Sequence, residues 1–334
     1  MANPQQLQLL RSSVPAWNQW RSRNSQASID LSYADLSGAS LLGANLTGAN
    51  LKGANLNQSI LIRAILVGTN LSEAQLEGAN FSGALVAGAF FNHANLGGVN
   101  FVQANLAETY FREARLVQSN FAGSTLSGAD LSGANLAGSN LSGAHLSATN
   151  FSGTNLIKAN LSDVYMVGSN LMGANCYQAN MAGADFSRTL MSSTCLNEVD
   201  LSNAVMVGVD LKMAELSGAN LFAVDLYGAN LIQADLKVAN LRLANLSSAN
   251  MYGVNLYGAD LRNAELICAF INDAYLYGAD LSWANLIQAD LCGSDLRSTN
   301  LTSANLQDTK LEGANLKDAT MPDGTSYVPD GERR

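Results

Sequence analysis

From Leu31 to Met321 every fifth residue is apolar, and the register is never broken by an insertion or deletion. The 59 central positions carry Leu or Phe in all but nine units, and those nine (Val86, Met166, Cys176, Met181, Met191, Met206, Met251, Ile271 and Met321) are still apolar. Two residues before each central position lies a second restricted one. It is Ala in 38 units, Ser, Thr or Val in 20 and Ile29 in the first. Two of every five side chains are therefore assigned to an interior.

Five residues turn an α-helix by about 500°, so successive apolar positions would drift by about 140° and smear round its surface. A straight strand fails too, because an odd spacing sends alternate central residues to opposite faces. The chain must reorient within every unit. An inward pair at i−2 and i, with an outward residue between them, is a short stretch of strand, and the other two residues turn a corner. Four corners close a square. Gly holds the position two after the centre in 26 units, leaving only Gly97, Gly324 and Gly331 elsewhere. Gly there predicts type II turns, with type I-like or irregular turns expected in the remaining units. All four prolines (Pro4, Pro15, Pro322 and Pro329) lie outside the repeat, as expected if its N–H groups bond between coils.

Units such as Ala34-Asp35-Leu36-Ser37-Gly38 and Ala134-Asn135-Leu136-Ala137-Gly138 resemble the A-(D/N)-L-x-x unit of the pentapeptide-repeat family, and the resemblance covers Ile29 to Met321. It implies an all-β solenoid: a right-handed quadrilateral parallel β-helix of about 15 coils, on the order of 70 Å long at a strand spacing of roughly 4.8 Å. The expected organisation is an N-terminal helical cap over 1–28, the β-helix over 29–321, and a C-terminal cap and tail over 322–334. A twenty-residue coil sets residue n beside n+20. Phe81, Phe101 and Phe121 then form one interior column and Phe91 and Phe111 another, while Met166, Met181, Met191 and Met206 gather around Cys176 and Phe186.

Composition narrows the function classes. No continuous stretch of about 18 apolar residues is present, so a membrane span is not expected and the chain reads as soluble and cytoplasmic. Of the four cysteines only Cys176 is a core position; Cys195, Cys268 and Cys292 fall at outward slots with no pair placed for a bridge. His93 and His145 are the only histidines and neither joins a cysteine or carboxylate cluster, so no metal is expected. No cofactor motif and no nucleophile–base pattern appears, which reads as a chain without catalytic residues. Asn at 27 and Asp at 12 of the outward slots before the centre predict polar ladders bonded between coils.

A β-helix exposes unpaired backbone at each end. Gln5 to Arg11 and Ala16 to Arg23 have helical composition, and Trp17 and Trp20 at i, i+3 spacing are expected to cover the open Leu core. A similar Trp-Asn-x-Trp segment before the first repeat is associated with cyanobacterial members of the family. At the other end Met321-Pro322-Asp323-Gly324 is a turn signal, followed by Tyr327, Pro329 and a charged Asp330 to Arg334 tail. Either Tyr327 folds back as a simple cap, or two copies meet end to end as a weak dimer.

Charge is uneven: residues 35–184 hold seven acids and five bases, whereas 185–318 hold sixteen acids and eight bases. An acidic rod is not expected to bind nucleic acid. The quinolone-resistance members of the family resemble DNA in shape and charge and bind DNA gyrase. This chain shares the sign of charge, at net −9, but lacks loop insertions and spends most outward slots on neutral residues. A second surface is the column Lys237, Tyr257, Tyr277, Arg297 and Lys317, with Tyr252, Tyr275 and Trp283 nearby. A third is an apolar corner of Ile60, Ile62, Ile65 and Val67, with Leu42 and Leu85 in adjacent coils. The leading expectation is a non-catalytic protein-interaction or scaffolding rod with an unknown protein partner, contacted through Tyr252, Tyr257, Tyr275, Tyr277 and Trp283. The alternative is a DNA-mimicking regulator of a DNA-binding protein such as gyrase.

Overall fold

A computed structural model describes residues 1–328. The chain forms two compact units, Met1–Asn170 and Leu171–Arg334. Each is a parallel β-helix in which every residue preceding a central position bridges the residue twenty later, from Asp30↔Asn50 to Asn150↔Asn170 in the first unit and from Asn175↔Cys195 to Asn300↔Thr320 in the second. Twenty residues at five per side make each coil four-sided.

The ladder can be followed donor by donor. In one unit the Leu36 N–H donates to Asn55 O at 2.6 Å and the Gly38 N–H to Asn57 O at 2.8 Å, both in the next coil. The Asn55 N–H returns to Ala34 O at 2.9 Å, and the Ala39 N–H closes the turn on Leu36 O at 3.1 Å. That leaves the N–H of Ser37, which the Asp35 carboxylate accepts at 3.2 Å. Each of the five amide positions of the repeat thus has an acceptor, and this gives Asn and Asp a role besides the ladder foreseen from sequence. The ladder itself also forms, as in Asn55 Nδ2 to Asp35 Oδ1 at 3.1 Å and Asn240 Nδ2 to Asn220 Oδ1 at 2.8 Å. Where the slot holds Gln75, Tyr110 or Glu215, the orphaned amide two residues on is rescued by an Asn one coil earlier: Asn57 for Glu77, Asn92 for Arg112 and Asn197 for Ser217, at 2.8–3.1 Å.

The turns depart from expectation. Every fifth residue from Tyr33 to Asp318 has φ between +52° and +72°, and 32 of these residues are not Gly. All of these turns have the left-handed third residue of a type II turn, so the type I-like turns expected without Gly are absent from this set. The reason is tertiary. The N–H at that position must reach the next coil whatever its side chain, as Gln58 does to Glu77 O at 2.9 Å, so the ladder imposes the conformation.

Inside, the Ala/Ser/Thr and Leu/Phe columns are buried along the middle coils of both units, with Ala39 in the first coil and Leu306, Thr309, Leu311 and Ala314 in the last only half-buried. Phe81, Phe101 and Phe121 stack at 4.8 and 5.1 Å between centroids, Phe91 and Phe111 stack at 4.8 Å, and the two columns meet edge-to-face at 5.9–6.2 Å. Met181, Phe186, Met191 and Met206 are buried with Cys176, whose thiol pKa is pushed up by burial. Buried Ser and Thr hydroxyls return a hydrogen bond to backbone, as Ser119 Oγ does to Leu116 O at 2.7 Å.

Two short helices, α1 (Pro4–Ser12) and α2 (Val14–Arg23), precede the repeat. Pro4 and Pro15 sit in their first turns, where no N–H is needed, and Asn3 and Ser13 accept the first free amides. They supply the first coil with groups a preceding coil would have brought. The Asn3 N–H donates to Asp30 O at 2.7 Å. Trp17 Nε1 donates to Asn45 O at 2.8 Å, Arg21 Nη2 to Thr47 O at 2.7 Å, and Arg11 to Asp35 O. Asn18 Oδ1 accepts from the Asn45 N–H at 2.8 Å. Trp17 is fully buried, whereas Trp20 is half-buried and packs on Trp17 at 5.4 Å. Arg21 is buried with its Nε and Nη1 unpartnered, and this desolvation lowers its pKa.

At the other end the chain doubles back. Met321 N–H donates to Thr325 O at 2.7 Å and Tyr327 N–H to Ala319 O at 2.8 Å, an antiparallel turn on the last side. Tyr327 therefore folds back through its backbone; Pro329 and the charged stretch from Asp330 to Arg334 lie outside the described residues. No helix among the described residues is long and apolar enough to cross a membrane.

Val238 is the one β-branched residue among the left-handed positions, at φ +55° and largely exposed. Val238→Gly removes its backbone strain at the cost of a slight contact with Gly258 in the next coil, and is expected to stabilise the second unit by up to about 1 kcal/mol. Urea unfolding read by circular dichroism checks this: the midpoint should rise with the slope unchanged.

Candidate interaction surface

One side of the second unit sets Tyr177, Tyr257, Tyr275 and Tyr277 among charged residues. It is built from the bridge column Cys195, Glu215, Asp235, Asn255, Tyr275 and Asp295 together with the turn column two residues on, Tyr177 to Arg297 at twenty-residue steps. The two columns are side by side because the coil repeats every twenty residues, so neighbours in space are read directly from the register.

The upper coils of this side form an open groove of about 420 Å³ lined by Lys237, Asn255, Tyr257, Tyr275, Tyr277, Asp295 and Arg297. Tyr257 and Tyr277 are stacked, with centroids 5.6 Å apart and planes 11° from parallel, and the Arg297 guanidinium lies 5.5 Å above the Tyr277 ring. Tyr275 stands beside them and is 59% exposed. Ion pairs close both ends: Lys237 Nζ lies 2.9 Å from Asp235, and Arg297 grips Asp295 through two hydrogen bonds of 2.7 and 2.6 Å. The hydrogen bond from Arg297 holds the Asp295 carboxyl below its ordinary pKa and raises that of Arg297 itself. The cations are thus locally balanced, and the groove offers aromatic edges between fixed polar brackets.

The lower coils of the same side form a second groove of about 590 Å³, lined by Tyr177, Glu198, Met213, Glu215, Gln233 and Asp235 among others. Its carboxylates are engaged by amides: Gln178 Nε2 donates to Glu198 at 2.7 Å and Asn197 Nδ2 to Glu215 at 3.0 Å. Burial, then the Glu198 charge, pushes the Tyr177 phenol pKa up. Among the described residues no cluster of His, Cys, Asp or Glu could hold a metal ion. The side therefore runs from acidic to aromatic along its length.

Of the residues expected at a protein contact, the structure brings Tyr257, Tyr275 and Tyr277 into one groove. Tyr252 occupies the turn before that side; a hydrogen bond to Asp273 raises its pKa, and Tyr275 adds a smaller effect. Trp283, 65% exposed, falls in a different turn column and does not line the groove. The corner patch in the first unit is exposed at Leu42, Ile60, Val67 and Leu85 and half-buried at Ile62 and Ile65. Two aromatic stacks on the first unit were missed from sequence: Phe90 on Tyr110 at 5.0 Å and His145 on Tyr165 at 5.2 Å. The same twenty-residue step would have found both.

Two of the thiols, those of buried Cys176 and of Cys292, are poor nucleophiles. Cys292 is hydrogen-bonded to the Asp290 and Glu312 carboxylates, which push its pKa up to about 11. The cysteines among the described residues are all unbridged.

Comparison with known proteins follows the geometry. The family of pentapeptide repeats matches in eight copies, in overlapping segments running from residue 28 to 221 and from 225 to 318. Among solved structures the chain is similar to a pentapeptide repeat protein from the Arabidopsis thaliana thylakoid lumen, at 32% identity over 29% of this chain and 68% of that one, with a TM-score of 0.29. It is similar to HetL of Nostoc sp. strain PCC 7120, a pentapeptide repeat protein involved in heterocyst differentiation regulation, at 25% identity over 93% and 98% of the two chains, with a TM-score of 0.24. It is also similar to QnrB1, a plasmid-mediated fluoroquinolone resistance protein, at 24% identity over 55% and 89%, with a TM-score of 0.26. No curated protein matches the chain.

The carboxyl of Asp295 is expected to titrate below the usual carboxylate range, and Arg297→Gln should move it part of the way back up. Because the folded pKa is lowered, the stabilisation is complete above the unfolded value and is lost as pH falls through the folded one. Carboxyl carbon chemical shifts followed by NMR between neutral and acid pH check both statements.

Proposed function

Because the chain belongs to the pentapeptide-repeat family, we propose that it is a non-catalytic protein-interaction module whose partner contacts the groove of Tyr257, Tyr275 and Tyr277. Family membership carries with it the right-handed sense of the quadrilateral β-helix. The observation that supports the contact is the concentration of three half- or largely exposed tyrosines between two ion pairs on a single side. Aromatic side chains held rigid by a ladder present a large contact area at little entropic cost. Family relatives are in general structural or interaction proteins, and the raised thiol pKa of Cys292 favours the same reading.

A DNA-mimicking regulator of a DNA-binding protein such as gyrase is the second reading, favoured by the sixteen acids against eight bases of residues 185–318. The arrangement of those acids weakens it. They spread over all four sides of the coil, for example Asp210, Glu215, Asp260 and Glu265. Others are neutralised in place: Asp260 by Arg262, Asp295 by Arg297 and Asp290 by Lys310. A phosphate-like field needs unpaired charge in regular rows.

Affinity capture from the source organism tests the first reading. The double variant Tyr257→Ser/Tyr277→Ser is expected to lose at least about tenfold of the captured partner, whereas Phe90→Ser/Tyr110→Ser on the other unit retains it. Equal capture by both would place the contact elsewhere. A supercoiling assay with gyrase tests the second, with no inhibition at micromolar protein expected.

A further inference from the structure

The tyrosine groove and the acidic groove below it adjoin on one side of the second unit, with Lys237 lining the first and its ion-pair partner Asp235 lining the second. Each groove holds a backbone donor that the repeat ordinarily satisfies. Where Asn or Asp precedes the central residue, its side chain accepts the N–H two residues on, as Asn255 does for Tyr257 at 3.2 Å. Cys195 and Tyr275 stand in that slot in two units of this side. The N–H groups of Asn197 and Tyr277 consequently have no partner among the described residues, whereas that of Ser217, after Glu215, is taken by Asn197 Oδ1 at 2.9 Å. Asn197 lines the lower groove and Tyr277 the upper.

Charge divides the same way. Asp235 and Asp295 are paired with Lys237 and Arg297, but no cation is paired with Glu198 or Glu215 among the described residues. Amides from Gln178 and Asn197 hold those two carboxylates instead, which fixes their orientation and leaves their charge in place.

We propose that the two grooves form one track for an extended peptide segment of a partner protein, basic at the Glu198 and Glu215 end and apolar among Tyr257, Tyr275 and Tyr277. This deepens the reading of the tyrosine groove as a protein contact and rests on it. Asn197 and Tyr277 are four coils apart, about 19 Å at a strand spacing of roughly 4.8 Å. In an extended chain the carbonyls of one edge recur at every second residue, so those of residues six apart are separated by about 20 Å. A single strand laid along the coils therefore accepts from both free amides. A helix does not, because its carbonyls are bonded within itself. Two fixed, unneutralised carboxylates select a lysine or arginine side chain, and tyrosines bracketed by balanced ion pairs select proline or an apolar residue. The same carboxylates repel a nucleic-acid strand.

Selection of a phage-displayed random decapeptide library on the full chain tests this, followed by fluorescence anisotropy and amide hydrogen exchange with the most enriched peptide. Enriched sequences should carry Lys or Arg towards one end and proline or an apolar residue towards the other. In the complex the Asn197 and Tyr277 amides should exchange more slowly, while that of Tyr257, already bonded, should not change. Cys195→Asn installs the acceptor that most units carry and so keeps the fold; by occupying the Asn197 N–H it should raise the dissociation constant about fivefold. Glu198→Gln/Glu215→Gln should raise it at least about tenfold. Circular dichroism checks that both variants fold. No enrichment, enriched peptides without a cation, unchanged exchange at both amides, or an unchanged dissociation constant in either folded variant overturns the track. If Tyr257→Ser/Tyr277→Ser still loses the captured partner in that event, the tyrosine contact stands without the track; if it does not, both fall.

Discussion

The hydrogen bonds between coils are the constraint on which everything else depends. Three of the five amide positions of the repeat, those of Leu36, Gly38 and Asn55 in the example above, are committed to a neighbouring coil at 2.6–2.9 Å. A fourth closes the turn and the fifth needs a side-chain acceptor. Proline is excluded because most amides are used, and Asn or Asp is favoured before the central residue because a short carbonyl there reaches the amide two residues on. The same commitment bends Gln58, Trp283 and Val238 into a backbone region that L-residues avoid. Each such residue costs on the order of 1 kcal/mol, and the ladder carries that cost because the alternative is an unpaired amide between two coils.

A ladder of this kind is self-sustaining in the middle and unsatisfied at its ends. The N-terminal segment resolves the problem with side chains: an indole, two guanidiniums and an amide stand where backbone would otherwise be. Trp17 could be foreseen as a cover for the leucines because of its size and position before the first unit. Arg11, Asn18 and Arg21 could not, since polar residues on a short helix read as solvent-facing until the carbonyls they meet are located. The C-terminal turn satisfies one side in a different way, by antiparallel return, which a Pro-Asp-Gly signal marks without saying how far the chain comes back.

The outward surface was legible in proportion to how well register alone determines contact. Tyr257 and Tyr277 are one coil apart in the same column and stack; Arg297 is the next in that column and covers Tyr277. Trp283 is close in sequence to Tyr277 yet belongs to another corner, so composition suggested a grouping that geometry does not make. Phe90 with Tyr110 and His145 with Tyr165 follow the same rule as the tyrosines and lay hidden only because the first half is otherwise rich in Ser and Gly.

The five-residue period by itself determined the class of fold, the interior residues, the neighbours one coil away and the absence of proline from the repeat, because only a chain that turns at every unit can keep an odd apolar spacing on one interior face. Tertiary structure alone decided the uniform left-handed turns, the rescue of stray amides by Asn57, Asn92 and Asn197, and the unequal finish of the two ends. These depend on whether a donor has an acceptor across the gap between coils, and that is a property of two segments placed together and not of either one read alone.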